Sequence, residues 1–193
     1  IGNLEKLSPI KVIYVSTIDV YKHQWNVVEA ISFLRKTGLS IELILIGSSN
    51  SYAYRKLEAS IDKFDQNREF VKILGFVNYN QIHEYYHRAH IGIFASSCEN
   101  MPNILVEMMR SNLPIACSNL GPMPEILKDG GIYFNPLSSK SIATAIKSVL
   151  DDSHLRKKII SNAFVESKKY SWSKCAKNTF KYLDSEMTRL KGN

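Results

Sequence analysis

The sequence predicts an α/β fold in which helices cover both faces of one open, doubly wound parallel sheet. Two observations lead to this prediction. Short apolar runs alternate with helical stretches along most of the chain, and these runs are nearly continuous rather than alternating apolar and polar. Continuous apolar strands are typical of parallel sheets, because helices bury both faces. Parallel strands also need crossover helices, which the alternation supplies.

The first half of the chain supports this prediction element by element. Residues 11–16 form a β-branched run that predicts the first strand. Apolar side chains recur at helical spacing over residues 24–36, and a glycine two positions later ends the predicted helix. Strands are predicted at 41–46 and 71–75, with a polar helix between them that extends to about Phe64.

The second half continues the alternation. Its predicted elements are a helix at 81–89, a strand at 91–95, a helix at 102–111, and strands at 114–117 and 130–134. From about residue 138 to residue 193 the pattern is helical throughout, which predicts a helical tail. No low-complexity segment or flexible linker divides the chain, so residues 1–193 are interpreted as one Rossmann-like domain.

Composition sets limits on the class of protein. With 193 residues, 45% hydrophobic and 22% charged, the chain has enough apolar side chains for one compact domain. Cys98, Cys117 and Cys175 are odd in number and show no CxxC pair, so neither a disulfide framework nor a zinc site is predicted. No apolar run reaches the roughly 18 residues of a membrane span. We expect a cytoplasmic protein and, because no initiating Met is present, a part of a longer chain.

The formal charge is +7, and much of the excess lies after residue 147. The residues of this basic stretch are Lys147, Arg156, Lys157, Lys158, Lys168, Lys169, Lys174, Lys177 and Lys181. A basic surface can attract nucleic acid, anionic lipid or a phosphorylated substrate. Because no nucleic-acid-reading motif accompanies the charge, we interpret it as a solvated helix face and expect no nucleic-acid partner. Peripheral contact with the inner face of the cell membrane remains a hypothesis.

The loop after the predicted fourth strand carries the strongest chemical signal. Glu99 lies in this loop, Pro102 is suited to the first turn of the following helix, and Glu107 lies on that helix about one turn beyond Asn103. Ligands of such sheets bind in the crevice outside the carboxyl ends of the strands, where helix N-termini expose unpaired N–H groups. Carboxylates accept hydrogen bonds from sugar hydroxyls, and helix N-termini favour phosphate. This segment therefore predicts a site for a sugar linked to phosphate.

These residues resemble the second domain of the retaining GT-B glycosyltransferases known as glycosyltransferase family 4, or glycosyl transferases group 1. That family carries two Glu residues separated by seven others, as Glu99 and Glu107 are. Further family landmarks follow in order, at Tyr21-Lys22-His23-Gln24, Leu45-Ile46-Gly47, Ile73-Leu74-Gly75-Phe76-Val77 and Gly121-Pro122-Met123-Pro124-Glu125-Ile126. A Glu pair alone would be weak evidence, but the pair with four ordered landmarks is specific.

The resemblance implies a role for each matching residue. Glu99 and Lys22 would be catalytic: Glu99 would hold the donor hexose, and Lys22 would neutralise the departing diphosphate. Glu107 would accept hydrogen bonds from the ribose hydroxyls, and the N–H groups of Ile104 and Leu105 would meet the distal phosphate. The remaining donor-binding positions are Asn100, Met101 and Pro102 at the hexose, Asn103 at the helix start, and Gly47, Phe76 and Val77 around the base and ribose.

One position departs from the family pattern. The family has an Arg five residues before the Lys, and this chain has Thr17 there. Either Lys11, Arg55 or a group outside this chain supplies the second cation, or donor binding is weaker or uses another phosphate pattern. The glycines that usually follow the first Glu are also replaced, and Pro102 has no N–H to donate.

The resemblance implies transfer of a hexose from a nucleoside diphosphate sugar to a sugar or lipid-linked acceptor with retention of anomeric configuration. It also implies polysaccharide, lipopolysaccharide or glycolipid biosynthesis, no cofactor and no metal, because Lys and helix N–H groups replace the cation. An N-terminal domain of the same full-length chain would supply the acceptor site. The alternatives are a sugar-nucleotide epimerase of the same fold, for which no acceptor is needed, and a non-catalytic nucleotide-sugar-binding module, which Thr17 leaves open.

Overall fold

A computed structural model, which describes residues 9–49 and 51–191, contains a six-stranded parallel sheet. The strands are β1 (Ile10–Val15), β2 (Ile41–Ile46), β3 (Val71–Gly75), β4 (Ile91–Phe94), β5 (Ile115–Ser118) and β6 (Gly131–Phe134). Their spatial order is β3-β2-β1-β4-β5-β6, so the direction of winding reverses between β1 and β4. The predicted doubly wound α/β fold is confirmed.

Helices cover both faces of this sheet. They are α1 (Gln24–Lys36), α2 (Ser51–Phe64), α3 (Tyr79–Arg88), α4 (Asn103–Arg110), α5 (Met123–Leu127), α6 (Ser139–Asp151), α7 (Ser153–Ser167) and α8 (Trp172–Lys191). Helix α1 packs against α2 and α6, whereas α4 packs against α5 and α7. Right-handed crossovers put these two groups on opposite faces, because the chain winds in opposite directions from β1 and from β4.

The predicted helical tail divides into two parts. Helices α6 and α7 belong to the body of the domain, since they bury apolar side chains such as Ile142, Ile146 and Ile159 in the core. Helix α8 differs, because every side chain in residues 172–190 is exposed except the half-buried Glu186. No helix in the described part of the chain is long and apolar enough to cross a membrane.

Some helix boundaries differ from the sequence prediction, and caps explain two of them. Helix α3 begins at Tyr79, two residues earlier than predicted, because the Asn78 side chain accepts a hydrogen bond from the Asn80 amide. Helix α4 begins at Asn103, with Pro102 as its N-cap rather than its first residue. The short helix α5 was not predicted, because five residues show too little periodicity to be recognised.

Arg156 corrects the interpretation of the basic stretch as a uniformly solvated face. Its side chain is 1% exposed at the junction of α6 and α7. The guanidinium donates hydrogen bonds to the carbonyls of Val149, at 2.8 Å, and Leu150. These carbonyls belong to the last turn of α6, which has no helical donors of its own. Arg156 therefore caps α6 from within the core, whereas Lys157 and Lys158 are exposed.

Candidate functional site

The loops after β1 and β4 meet at the carboxyl edge of the sheet. The two strands are neighbours, with Val12 paired with Ile91. The Ser97 amide donates a 2.8 Å hydrogen bond to the carbonyl of Tyr21, which joins the loops. This is the point where the strand order reverses, and ligands of open α/β sheets bind at such points.

Lys22 and Glu99 form an ion pair at this point, with side chains 9% and 14% exposed. The Lys22 ammonium lies 5.0 Å from the ring centre of Tyr21 and 5.2 Å from that of Phe94, where both rings can stabilise a cation. The hydroxyl of Tyr14 donates a 2.9 Å hydrogen bond to the Lys22 carbonyl. The structure thus brings together the two residues for which the family resemblance implies catalysis.

His23 forms the bend between Lys22 and α1, a structural role that local sequence patterns do not indicate. Its backbone is left-handed, with φ 51°, and ends a short turn just before α1 begins at Gln24. Its ring nitrogen Nε2 lies 2.7 Å from the Ser97 hydroxyl, which links it to the Glu99 loop. Burial, together with the nearby charge of Lys56, lowers the pKa of His23. The contact between His23 and Ser97 therefore ties the segment that carries Lys22 to the loop that carries Glu99.

The start of α4 presents a free amide at the same edge. The Asn103 N–H donates to the carbonyl of Met101 and the Leu105 N–H to that of Pro102, each at 2.9 Å. No acceptor for the Ile104 N–H is found among the described residues. The family resemblance implies that the N–H groups of Ile104 and Leu105 meet a phosphate. The Ile104 N–H is available for this, whereas the Leu105 N–H already donates to the Pro102 carbonyl. The side chains of the preceding loop are exposed at Asn100 and Met101 and buried at Pro102.

Glu107 lies one turn further along α4, half-buried at the wall of a cavity of about 1050 Å³. Burial raises the pKa of its carboxyl, and a hydrogen bond with Tyr79 acts in the opposite direction. The cavity lies between α3, α4 and the start of α8. Its polar and charged lining residues include Tyr79, His83, Tyr86, His87, Asn103, Glu107, Arg110, Lys169, Lys174 and Asn178.

Gly47 is required by the packing of the loops around the site. It has φ 144°, and a Cβ atom at this position would lie 2.1 Å from the carbonyl oxygen of Ser16. Its amide donates a 2.8 Å hydrogen bond to the Gly75 carbonyl at the end of β3. The exposed Phe76 and half-buried Val77 follow directly, so all these positions lie at the carboxyl edge.

Thr17 stands where the family pattern has a second cation, and its side chain is exposed after β1. The candidate replacements for that cation lie in different places. Lys11 cannot supply it, because it lies at the opposite end of β1, where its amide donates to His90 Nδ1 at 2.8 Å. Arg55 is exposed on α2. Its neighbour Lys56 places its ammonium 4.0 Å from the ring centre of Trp25, in the first turn of α1. Lys56 is a cation near this edge that sequence patterns did not indicate.

Residues 9–49 and 51–191 contain no group of three or more His, Cys, Asp or Glu side chains arranged to hold a metal ion. The site instead combines a buried lysine–carboxylate pair, a free helix N-terminal amide and a second carboxylate in a cavity. A doubly wound domain with such an edge can hold a ligand that carries phosphate and several hydroxyl groups.

The class that fold and site define is a glycosyltransferase domain. The chain belongs to the family described as glycosyl transferases group 1, whose family model matches residues 2–165. The resemblance drawn from the Glu pair and its landmarks is thereby confirmed.

Relatives named as glycosyltransferases match the chain, and a solved structure shares its fold. The chain is 34% identical over 115 residues to the uncharacterised glycosyltransferase MJ1607 of Methanocaldococcus jannaschii, covering 58% of this chain and 30% of that protein. It is 24% identical over 172 residues to O-antigen chain mannosyltransferase B of Escherichia coli, covering 86% and 44%. Anabaena HepE, solved with UDP and glucose, shares the fold with a TM-score of 0.82 at 20% identity, over 92% of this chain and 49% of that one. The chain spans less than half the length of each.

Proposed function

We propose that this chain is the donor-binding domain of a retaining hexosyltransferase that uses a nucleoside diphosphate sugar. The proposal depends on one observation above all: the Lys22–Glu99 pair and the start of α4, which carries Glu107, meet at the switch point of the sheet. These groups match the parts of a nucleotide sugar, with carboxylates for the two sugars and positive groups for the diphosphate.

Each group has a separate task in the proposed reaction. The ribose hydroxyls donate hydrogen bonds to Glu107, the Ile104 amide and Lys22 bind diphosphate oxygens, and Glu99 accepts hydrogen bonds from the hexose. The bond between the anomeric carbon and the diphosphate oxygen breaks, and its electron pair leaves with the diphosphate. Lys22 stabilises that growing negative charge. The acceptor oxygen then bonds to the anomeric carbon on the face that the diphosphate leaves, and the acceptor's proton passes to the departing diphosphate oxygen.

The proposed reaction is independent of metal. Where many phosphate-transferring sites place a divalent cation, Lys22 and the amino end of α4 provide positive charge. The relative O-antigen chain mannosyltransferase B supports an acceptor in polysaccharide, lipopolysaccharide or glycolipid biosynthesis. The sugar or lipid-linked acceptor would bind outside the residues described above.

Helix α8 supports a second domain in the full-length protein. Phe180, Leu183, Met187 and Leu190 are exposed at helical spacing, so α8 presents an apolar face that the described residues leave uncovered. We propose that an N-terminal acceptor domain packs on this face and closes the cleft opposite Lys22. The coverage of less than half of each relative agrees with this arrangement.

Peripheral membrane contact is a further part of the proposal, supported by the exposed lysines of α7 and the turn after it. Neutralising Lys157, Lys158, Lys168 and Lys169 is expected to reduce co-sedimentation with vesicles rich in anionic lipid, because each basic residue near such a surface contributes about 1 kcal/mol. Neutral vesicles serve as the control. Unchanged sedimentation of the four-residue variant would contradict membrane contact.

A non-catalytic nucleotide-sugar-binding module is the second candidate function. The observation that favours it is Thr17, which stands in place of the family's Arg. Lys11 cannot replace that Arg, because it lies at the end of β1 opposite the site. A module and an enzyme both bind the donor, so turnover by the full-length protein separates them. Release of nucleoside diphosphate from the nucleotide sugar supports the enzyme, whereas tight binding without release supports the module.

The donor site is tested by thermal shift and calorimetry with UDP, GDP, ADP and their hexose conjugates. We expect one nucleoside diphosphate to stabilise the chain, and Glu107→Ala to lose at least about tenfold in affinity, because hydrogen bonds to a charged group contribute roughly 1.5–3 kcal/mol. Glu125→Ala, which removes an exposed carboxylate on α5, is the matched control. Equal stabilisation of Glu107→Ala and the unmodified chain would refute the assigned site.

A further inference from the structure

Two tyrosines of α3 lie beside Glu107. Tyr79 is in the first turn of α3, and Tyr86 lies seven residues later on the same face of the helix. Both line the cavity that Glu107 borders. Their surroundings differ, because Tyr79 is 68% exposed and Tyr86 only 2%. Tyr79 is therefore open to solvent, whereas Tyr86 is a buried part of the cavity lining.

Tyr79 and Glu107 line the same cavity, where their side chains interact electrostatically. The negative charge of Glu107 raises the pKa of Tyr79, and the hydrogen bond between the two side chains acts in the same direction. The same bond partly offsets the effect of burial on Glu107. Tyr79 is therefore placed beside Glu107 at the cavity wall, where it can influence the carboxylate.

The Tyr86 hydroxyl is buried and has no hydrogen-bond partner among the described residues. Buried polar groups are almost always paired, so an unpaired one calls for an explanation. Burial is the main reason why the pKa of Tyr86 is raised. The negative charge of Glu107 is the second reason and acts in the same direction. The unpaired donor therefore lines the same cavity as Glu107 and lies within electrostatic range of its carboxylate.

Glu107 has enough acceptor positions for a ligand and for both tyrosine hydroxyls. An ionised carboxylate has about four acceptor positions. A ribose diol would occupy two of them, which leaves two for protein donors. A ligand that covers Glu107 also removes water from it, so these donors become more important when the site is filled.

We propose that Tyr79 and Tyr86 are positioning residues that complete the ribose end of the donor site. Tyr79 orients the Glu107 carboxylate in the empty site, and the Tyr86 hydroxyl becomes its second protein donor when a ligand diol binds. This inference rests on the proposed function. It implies that the site selects ligands with both ribose hydroxyls, because a deoxy ligand leaves one prepared acceptor position unfilled.

Calorimetric titration with UDP, GDP and ADP, each beside its 2′-deoxy form, tests this inference. We expect the unmodified chain to prefer the ribose form, and Tyr79→Phe and Tyr86→Phe each to weaken its binding by about three- to tenfold, the effect of one hydrogen bond. The preference over the deoxy form should shrink in both variants. Tyr85→Phe is the matched control, since Tyr85 lies on the same helix but does not line the cavity.

Thermal unfolding without ligand separates positioning from a structural role of Tyr86. Removing an unpaired buried hydroxyl is expected to leave the melting temperature of the empty chain unchanged or to raise it. Tyr86→Phe should therefore bind less tightly while being no less stable. An equally or more stable Tyr86→Phe with unchanged affinity and unchanged ribose preference would overturn its assignment.

The pH dependence of binding gives a second readout for Tyr79. Glu107 must be ionised to accept the diol, so affinity is lost as the pH falls through the pKa of its carboxyl. Tyr79→Phe removes a bond that lowers this pKa, so the acid limb of the binding profile should move to higher pH. The other titratable groups facing the cavity are unchanged in this variant: His83, Tyr86, His87, Arg110, Lys169, Tyr170, Lys174 and Cys175. A profile identical to that of the unmodified chain would overturn the role of Tyr79.

Failure of this inference and failure of the proposed function give different results. If the unmodified chain and the full-length protein bind no nucleotide, both are overturned. If nucleotide binds, Glu107→Ala weakens binding at least about tenfold, and both tyrosine variants bind as the unmodified chain does, only the inference about Tyr79 and Tyr86 is overturned.

Discussion

Replacing Lys22 with alanine is expected to slow release of nucleoside diphosphate from the nucleotide sugar by on the order of 10²–10³-fold in the full-length protein. This is the usual effect of removing one preorganised group that stabilises transition-state charge. The same change leaves the mostly buried Glu99 without its cation. Removing one partner of a buried ion pair costs about 3–5 kcal/mol, so we also expect a clear loss of stability in urea denaturation.

A paired variant separates the two effects of Lys22. Lys22→Met combined with Glu99→Gln removes both charges at similar side-chain volume, which often restores stability. It should therefore unfold close to the unmodified chain while remaining inactive. Lys36→Ala, which removes an exposed lysine from the end of α1, serves as the control. Unmodified activity and stability in Lys22→Ala would show that the pair has neither role.

Replacing Arg156 with alanine is expected to cost about 3–5 kcal/mol in the free energy of unfolding. The change leaves a cavity at the junction of α6 and α7 and removes the donor from the carbonyls of Val149 and Leu150. Because domains are stable by only about 5–15 kcal/mol, such a loss should lower the urea midpoint strongly.

Lys157→Ala is the matched control for Arg156, since Lys157 is adjacent in sequence but exposed. Its effect is expected to stay within about 0.5 kcal/mol. Arg156→Lys should be intermediate, because an ammonium can reach a carbonyl but lacks the planar fork of donors. Equal urea midpoints for Arg156→Ala and Lys157→Ala would contradict an internal cap on α6.

Sequence patterns were sufficient for the elements that bury one continuous apolar run or face. The predicted strand at 41–46 and the predicted helix at 24–36 coincide with β2 and α1, because their apolar spacing directly reflects burial. The parallel sheet followed from the same continuous runs. The candidate site followed from Glu99 and Glu107, because local spacing around a helix start places both near one edge.

Contacts between distant segments could be seen only in the tertiary structure. Lys22 and Glu99 are 77 positions apart, and their pairing depends on the adjacency of β1 and β4. The left-handed backbone of His23 and the unpaired hydroxyl of Tyr86 leave no mark in local periodicity. The distinction between buried Arg156 and exposed Lys157 likewise depends on how α7 meets α6.

The sequence by itself determined the alternation of strands and helices, the parallel sheet and the family. It did so because burial imposes a period on each element separately, and because the landmarks of the family are local. Tertiary structure decided which charges meet, which amide at α4 is free, and which tyrosines border Glu107. These depend on the packing of whole elements, where a side chain's environment is set by neighbours remote in the chain.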